Sequence, residues 1–214
     1  MRMRRIGGVR GLIVHRIRFA AELRRAMGRE AQAVLRSRTS GARIPAGRAG
    51  RRDALASEAT MIPVDMRILD HCPAEGRYGD CFRAVIASIL ELPYDDVPHV
   101  MAYPEGTPDV ILPNGEAASQ WYVDLRAWLA PRGLDCITYD LNQFRRDGGD
   151  VSALLRNLTM YHDLAGPSPR FPGVLHSCVA REGRVVHDPH PSRTGIDVSC
   201  ASFATIITVG GSLE

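Results

Sequence analysis

Gly79-Asp80-Cys81-Phe82-Arg83-Ala84-Val85-Ile86-Ala87-Ser88-Ile89-Leu90 is the stretch on which the fold turns. Phe82, Val85, Ile86, Ile89 and Leu90 recur at the spacing of one helical face, so the segment reads as a buried amphipathic helix. Asp80 stands where an N-cap belongs, and Pro93 lies just past the end, where it stops a helix. The single cysteine of the stretch, Cys81, falls in the first turn. There the helix macrodipole and the free backbone N–H groups favour a thiolate, which is the form of cysteine that attacks electrophiles.

Beyond this helix, Pro93 to Val100 suits a short helical turn, and a loop rich in Pro and Gly follows to about Gly115. A second amphipathic helix is expected from Glu116 to Ala130, with Trp121, Leu125, Trp128 and Leu129 on its apolar side and Pro131 and Gly133 closing it. Both tryptophans are expected to be core packing. Asp135 to Tyr139 suits a strand. Asp150 to Tyr161 stays open, since Leu154, Leu155 and Leu158 fit a helix whereas Thr159-Met160-Tyr161 fits a strand. Gly166 to Pro172 reads as loop by composition, and Gly173 to Ala180, Arg184 to Asp188 and Phe203 to Val209 read as strands. Helices first and antiparallel sheet second make an α+β class.

The charge of the 214-residue chain is unevenly spread. Residues 1–60 carry 15 Arg against 4 acidic residues, net +11, whereas residues 61–214 carry 12 Arg against 20 acidic residues, net −8. The first segment therefore reads as an Arg-rich extension, disordered or partly helical near Phe19 to Leu35, and the second as the compact domain. Such an arm is the one feature suited to nucleic acid, and the acidic balance of the rest disfavours nucleic acid as a substrate. No apolar run reaches the length of a secretory core or a membrane span, so a soluble, cytoplasmic protein is expected. Cys72, Cys81, Cys136, Cys178 and Cys200 are odd in number and lack a CxxC pair, which argues against a disulfide framework.

A base for Cys81 is offered by the second half. If Arg181-Glu182-Gly183 forms a three-residue hairpin loop, His176 pairs with Asp188 on one sheet face, which is the base-to-orienter relation of a catalytic triad. A two- or four-residue loop instead turns Asp188 to the opposite face and presents His187. Each residue also has a plain structural reading: a small buried hydrophobe for Cys81, a satisfied core histidine for His176, an Asp-Pro turn for Asp188. His187 and His190, taken with Cys178 or His176, lack the paired spacing of a zinc site, and His71 and Cys72 read as an exposed loop.

Gly79-Asp80-Cys81 opening an apolar helix, a Trp-containing helix after it, then His176 on a strand and Asp188-Pro189 past the hairpin resemble the compact papain-like cysteine peptidases of bacteria and phages. More distantly, the pattern is similar to bacteriocin-processing peptidase domains and cell-wall endopeptidases. The resemblance covers about residues 61 to 210. It implies a papain-like core, with N-terminal helices packed on an antiparallel sheet. It also implies Cys81 as nucleophile, His176 as base and Asp188 as orienting acid, hydrolysing a peptide or isopeptide bond without a cofactor. A peptide or protein substrate follows, with peptidoglycan peptides as one candidate. One feature of many relatives is missing: no Gln or Asn precedes Cys81 between Met66 and Asp80, which leaves Gln120 or Asn142 as candidate second oxyanion donors. The competing expectation is an inactive papain-like structural or interaction module, of phage origin.

Overall fold

The structure is a computed structural model that describes residues 61–209 apart from Glu105; the expected arm over residues 1–60 lies outside the described residues. Of the described residues, Asp109–Ala118 belong to one compact unit and 61–108 with 119–209 to another. The first holds a small hairpin in which β1 (Val110–Ile111) pairs antiparallel with β2 (Ala117–Ala118), the chain reversing through Gly115 at φ 81°.

The second unit is α+β. Its first helix, α1 (Cys81–Leu90), has the bounds that the apolar spacing predicts, and it ends on Glu91 in the left-handed region at φ 52°. A 3-10 turn over Tyr94–Asp96 follows. The second helix, α2 (Gln120–Leu129), starts later than the expected Glu116, because Ala117–Ala118 are already committed to a strand. Then come β3 (Leu134–Asp140), α3 (Leu141–Arg146), α4 (Val151–Asn157), β4 (His162–Pro167), β5 (Leu175–Arg181), β6 (Arg184–His187) and β7 (Phe203–Val209). Asp140 and Asp150 each cap the following short helix with a side-chain oxygen, accepting from Gln143 N and Ala153 N at 2.9 Å.

The five-stranded sheet runs β3-β7-β4-β5-β6, antiparallel at every junction. Its centre corrects the sequence reading: His162–Pro167, whose last residues read as loop, is a strand paired on both sides. Side chains alternate between two covered faces. On one, α1 and α2 bury Phe82, Ile86, Leu125 and Leu129 against Cys136 and Ile207. On the other, α3 and α4 bury Leu141, Val151 and Leu155 against Leu164, Ala180, Ala204 and Ile206. α1 rests mainly on β5 and also touches β4, which fixes where its first turn falls.

Candidate active site

The hairpin that carries the expected base differs from the expectation in two ways that cancel. Arg181 pairs with Arg184, so the loop is the two residues Glu182 and Gly183, at φ 52° and 74°. Two consecutive left-handed residues make the turn that matches the twist of a tight hairpin. That register alone would turn Asp188 away from His176. A bulge between Val179 and Ala180 adds the missing residue, pairing Val179 with His187, and so returns Asp188 to the face of His176 and Cys178.

His176 Nε2 and Asp188 Oδ1 are 2.7 Å apart, and both residues are buried. A carboxylate only accepts, so Nε2–H donates and Nδ1 is left as the acceptor, the tautomer a general base requires. Asp188 is held from several sides: Oδ1 also accepts from His190 N at 2.9 Å, Oδ2 accepts from Gly195 N at 2.7 Å, and Arg170 Nη1 lies 3.6 Å from Oδ2. Burial works against its ionisation, but the hydrogen bonds from His176, His190 and Gly195 outweigh it and hold the carboxyl well below the usual range. His190 stacks edge-on to His176 at 6.4 Å, and burial together with Arg170 lowers its proton affinity.

Cys81 begins α1 and is partly exposed. Its sulfur is approached by the backbone N–H groups of Ser177, the residue after His176, and of Phe82, both of which favour the thiolate. Desolvation is the larger effect and, with the charges of Asp163 and Asp80 added, pushes the thiol up to about 11. The structure thus joins His176 to Asp188 directly but sets Cys81 beside Ser177, the next residue of the same strand, on the face opposite to that of His176; among the described residues no hydrogen bond links Cys81 to His176.

Asp80 does not cap α1 with its side chain. Its carboxylate instead accepts from Arg67 N and Ile68 N and from Tyr94 OH, tying the incoming chain down beside the helix start. His187, the alternative third member, points to the other face, where Nε2 donates to Val64 O at 3.0 Å. It is a clamp on the same incoming chain, as is the bond from Met66 N to Pro189 O. Of the candidate amide donors, Gln120 is engaged, its Nε2 donating to Asp124 Oδ1 at 2.7 Å, while Asn142 is held through its oxygen, Oδ1 accepting from Arg145 at 2.9 Å.

The ligand atoms of His176, Cys178 and Asp188 lie within 4.8 Å of one another. Asp188 already takes donors on both oxygens, His176 is spent on Asp188, and Arg170 adds a repelling cation, so this donor set suits an oriented imidazole better than a metal ion. Cys178 is fully buried and its thiol is pushed up, first by desolvation and then by Asp188 and Asp163. Composition gave no signal for Asp163, a buried carboxyl on β4 that faces α1 and acts on Cys81.

Compared with known proteins, the chain matches no family model, no curated protein and no solved structure. Among the described residues, no helix is long and apolar enough to cross a membrane.

Proposed function

We propose that the domain is a papain-like thiol hydrolase that cleaves an amide bond, peptide or isopeptide, through a thioester on Cys81. The observation that carries this reading is the buried His176–Asp188 pair, its carboxylate anchored by backbone N–H groups, on the strand that receives the first turn of α1. Register sets His176 on the sheet face away from α1, so in this reading its Nδ1 reaches round the start of β5, beside Ser177, to take the proton of the Cys81 thiol as sulfur attacks the carbonyl carbon. The oxyanion is met by backbone N–H at the helix start, in the role that side-chain amides fill elsewhere. Collapse breaks the C–N bond, and the leaving amine takes the proton from His176. Water, deprotonated by His176, then releases the acid and frees the thiol. A thiol this strongly desolvated needs its proton removed during attack, and contacts between nucleophile and base are often loose before substrate binds.

A hollow of about 390 Å³ lined by His71, Cys72, Tyr78 and Pro104 adjoins the approach to Cys81, since His71 Nδ1 accepts from Gly79 N. It is a natural seat for one side of a peptide. Peptidoglycan peptides remain one substrate class among peptides and proteins.

The test is turnover of a mixed peptide library, read by mass spectrometry. Cys81→Ala and His176→Ala are each expected to abolish cleavage while keeping the wild-type far-UV spectrum and melting profile. Full cleavage by Cys81→Ala would contradict the proposal. The second reading, an inactive module on the same frame, is favoured by the raised thiol and by the engagement of the Gln120 amide; a wild-type chain that cleaves nothing and forms no acyl-enzyme would support it.

A further inference from the structure

Asp163 belongs to β4, where it pairs with Val179 on β5 and Thr205 on β7. Alternation puts it on the sheet face that α1 covers, not on the face of His176 and Cys178. It is only 2% exposed, and its Oδ1 has no hydrogen-bond partner. A buried carboxylate oxygen without a donor is rare and destabilising, and such groups concentrate where a protein uses them. The hydroxyls of Ser177 and Thr205 stand beside the carboxyl and favour its charged form, while burial opposes it. From α1 the titratable group that faces it is Cys81, with Asp80 acting on the same sulfur; Cys178, on the opposite face of β5, also feels its charge.

We propose that Asp163 is a positioning residue for Cys81: lying under the first turn of α1, it governs by its own protonation how readily the thiol gives up its proton. With Asp163 ionised, a second negative charge at the sulfur is opposed across a medium that screens poorly. With Asp163 protonated, that opposition disappears. Nucleophile and base then answer to different carboxylates: Asp188 orients His176 on one face, and Asp163 sets the thiol on the other. The inference deepens the hydrolase reading and rests on it for its purpose, but its physical content is testable separately.

The experiment is the pH dependence of iodoacetamide alkylation at Cys81, resolved by peptide mass spectrometry, in wild type and Asp163→Asn. Both proteins are also measured in a His176→Ala background, so that the outcome does not depend on the base. Asn keeps the shape and removes the charge, so the profile is expected to move to lower pH, with about a tenfold rise in rate at fixed pH for every whole pH step that the profile moves. An unmoved profile, or one moved to higher pH, would overturn the proposal. Should Asp163→Asn not fold, the wild-type profile decides. Ionisation of Asp163 is expected to interrupt the rise of log rate with pH by a shoulder, whereas a single unbroken slope would overturn the inference. A shift with Asp163→Asn but no effect of His176→Ala would leave this inference standing and remove the triad.

Discussion

At the residue scale, the buried carboxyls of Asp188 and Asp163 have opposite pH signatures. Asp188 ionises more easily in the folded chain than its ordinary 3.8, so its contribution to stability is present above that value and fades as pH falls through its depressed folded value. Asp188→Asn is expected to lower the melting temperature markedly at pH 7, with the gap to wild type closing in acid; a gap constant from pH 7 to pH 2 would contradict this. Asp163 is pushed up to about 7 by burial, so its contribution is fully present below 3.8 and is lost as pH rises through 7. Asp163→Asn should therefore gain on wild type in melting temperature between pH 5 and pH 9. His162 is fully buried, with Nε2 unpartnered, and burial lowers its proton affinity. Its neutral form stabilises the fold above its ordinary 6.5, and the stability falls off as acid drives its protonation in the unfolded chain. His162→Gln is expected to flatten the stability profile between pH 7 and pH 5.

At the scale of elements, the hairpin between β5 and β6 is the most sensitive joint, because its turn and its bulge together decide which face Asp188 occupies. Glu182 adopts φ 52°, a region that a side chain such as Glu visits at a cost and that Asn tolerates. Glu182→Asn is expected to stabilise the chain by about 0.5 kcal/mol in chemical denaturation, whereas Gly183→Ala should cost about 1 kcal/mol or more. In the latter an added Cβ would also meet the Arg156 side chain at 3.3 Å. The helix over residues 81–90 was legible because its apolar period is unbroken, whereas the contact of His176 with Asp188 was reached from a three-residue loop that the structure replaces by a two-residue loop and a bulge. The bulge was not legible, since Val186, the extra residue that it inserts on β6 opposite Val179 and Ala180, reads like any strand residue. β4 was hidden for a different reason: His, Asp, Gly and Pro are poor strand formers, and only pairing on both sides makes His162–Pro167 extended. Asp163 escaped notice with it.

At the scale of the whole unit, the sheet separates two apolar clusters, and the incoming chain at residues 64–68 is strapped across the start of α1 by Asp80, His187 and Pro189. Truncating either cluster tests how far the site depends on its support. Leu125→Ala, under α1, is expected to cost about 2–5 kcal/mol and to lower Cys81 reactivity by loosening the helix; Leu141→Ala, on the opposite face, should cost a similar amount. The central claim, that His176 acts on Cys81, is tested most directly by the rate of Cys81 acylation by p-nitrophenyl acetate as a function of pH, followed by intact-mass spectrometry in wild type and His176→Ala. His176→Ala is expected to lose about 100-fold or more in rate and to change the pH dependence of what remains. Equal rates with the same pH dependence in the two proteins would contradict it.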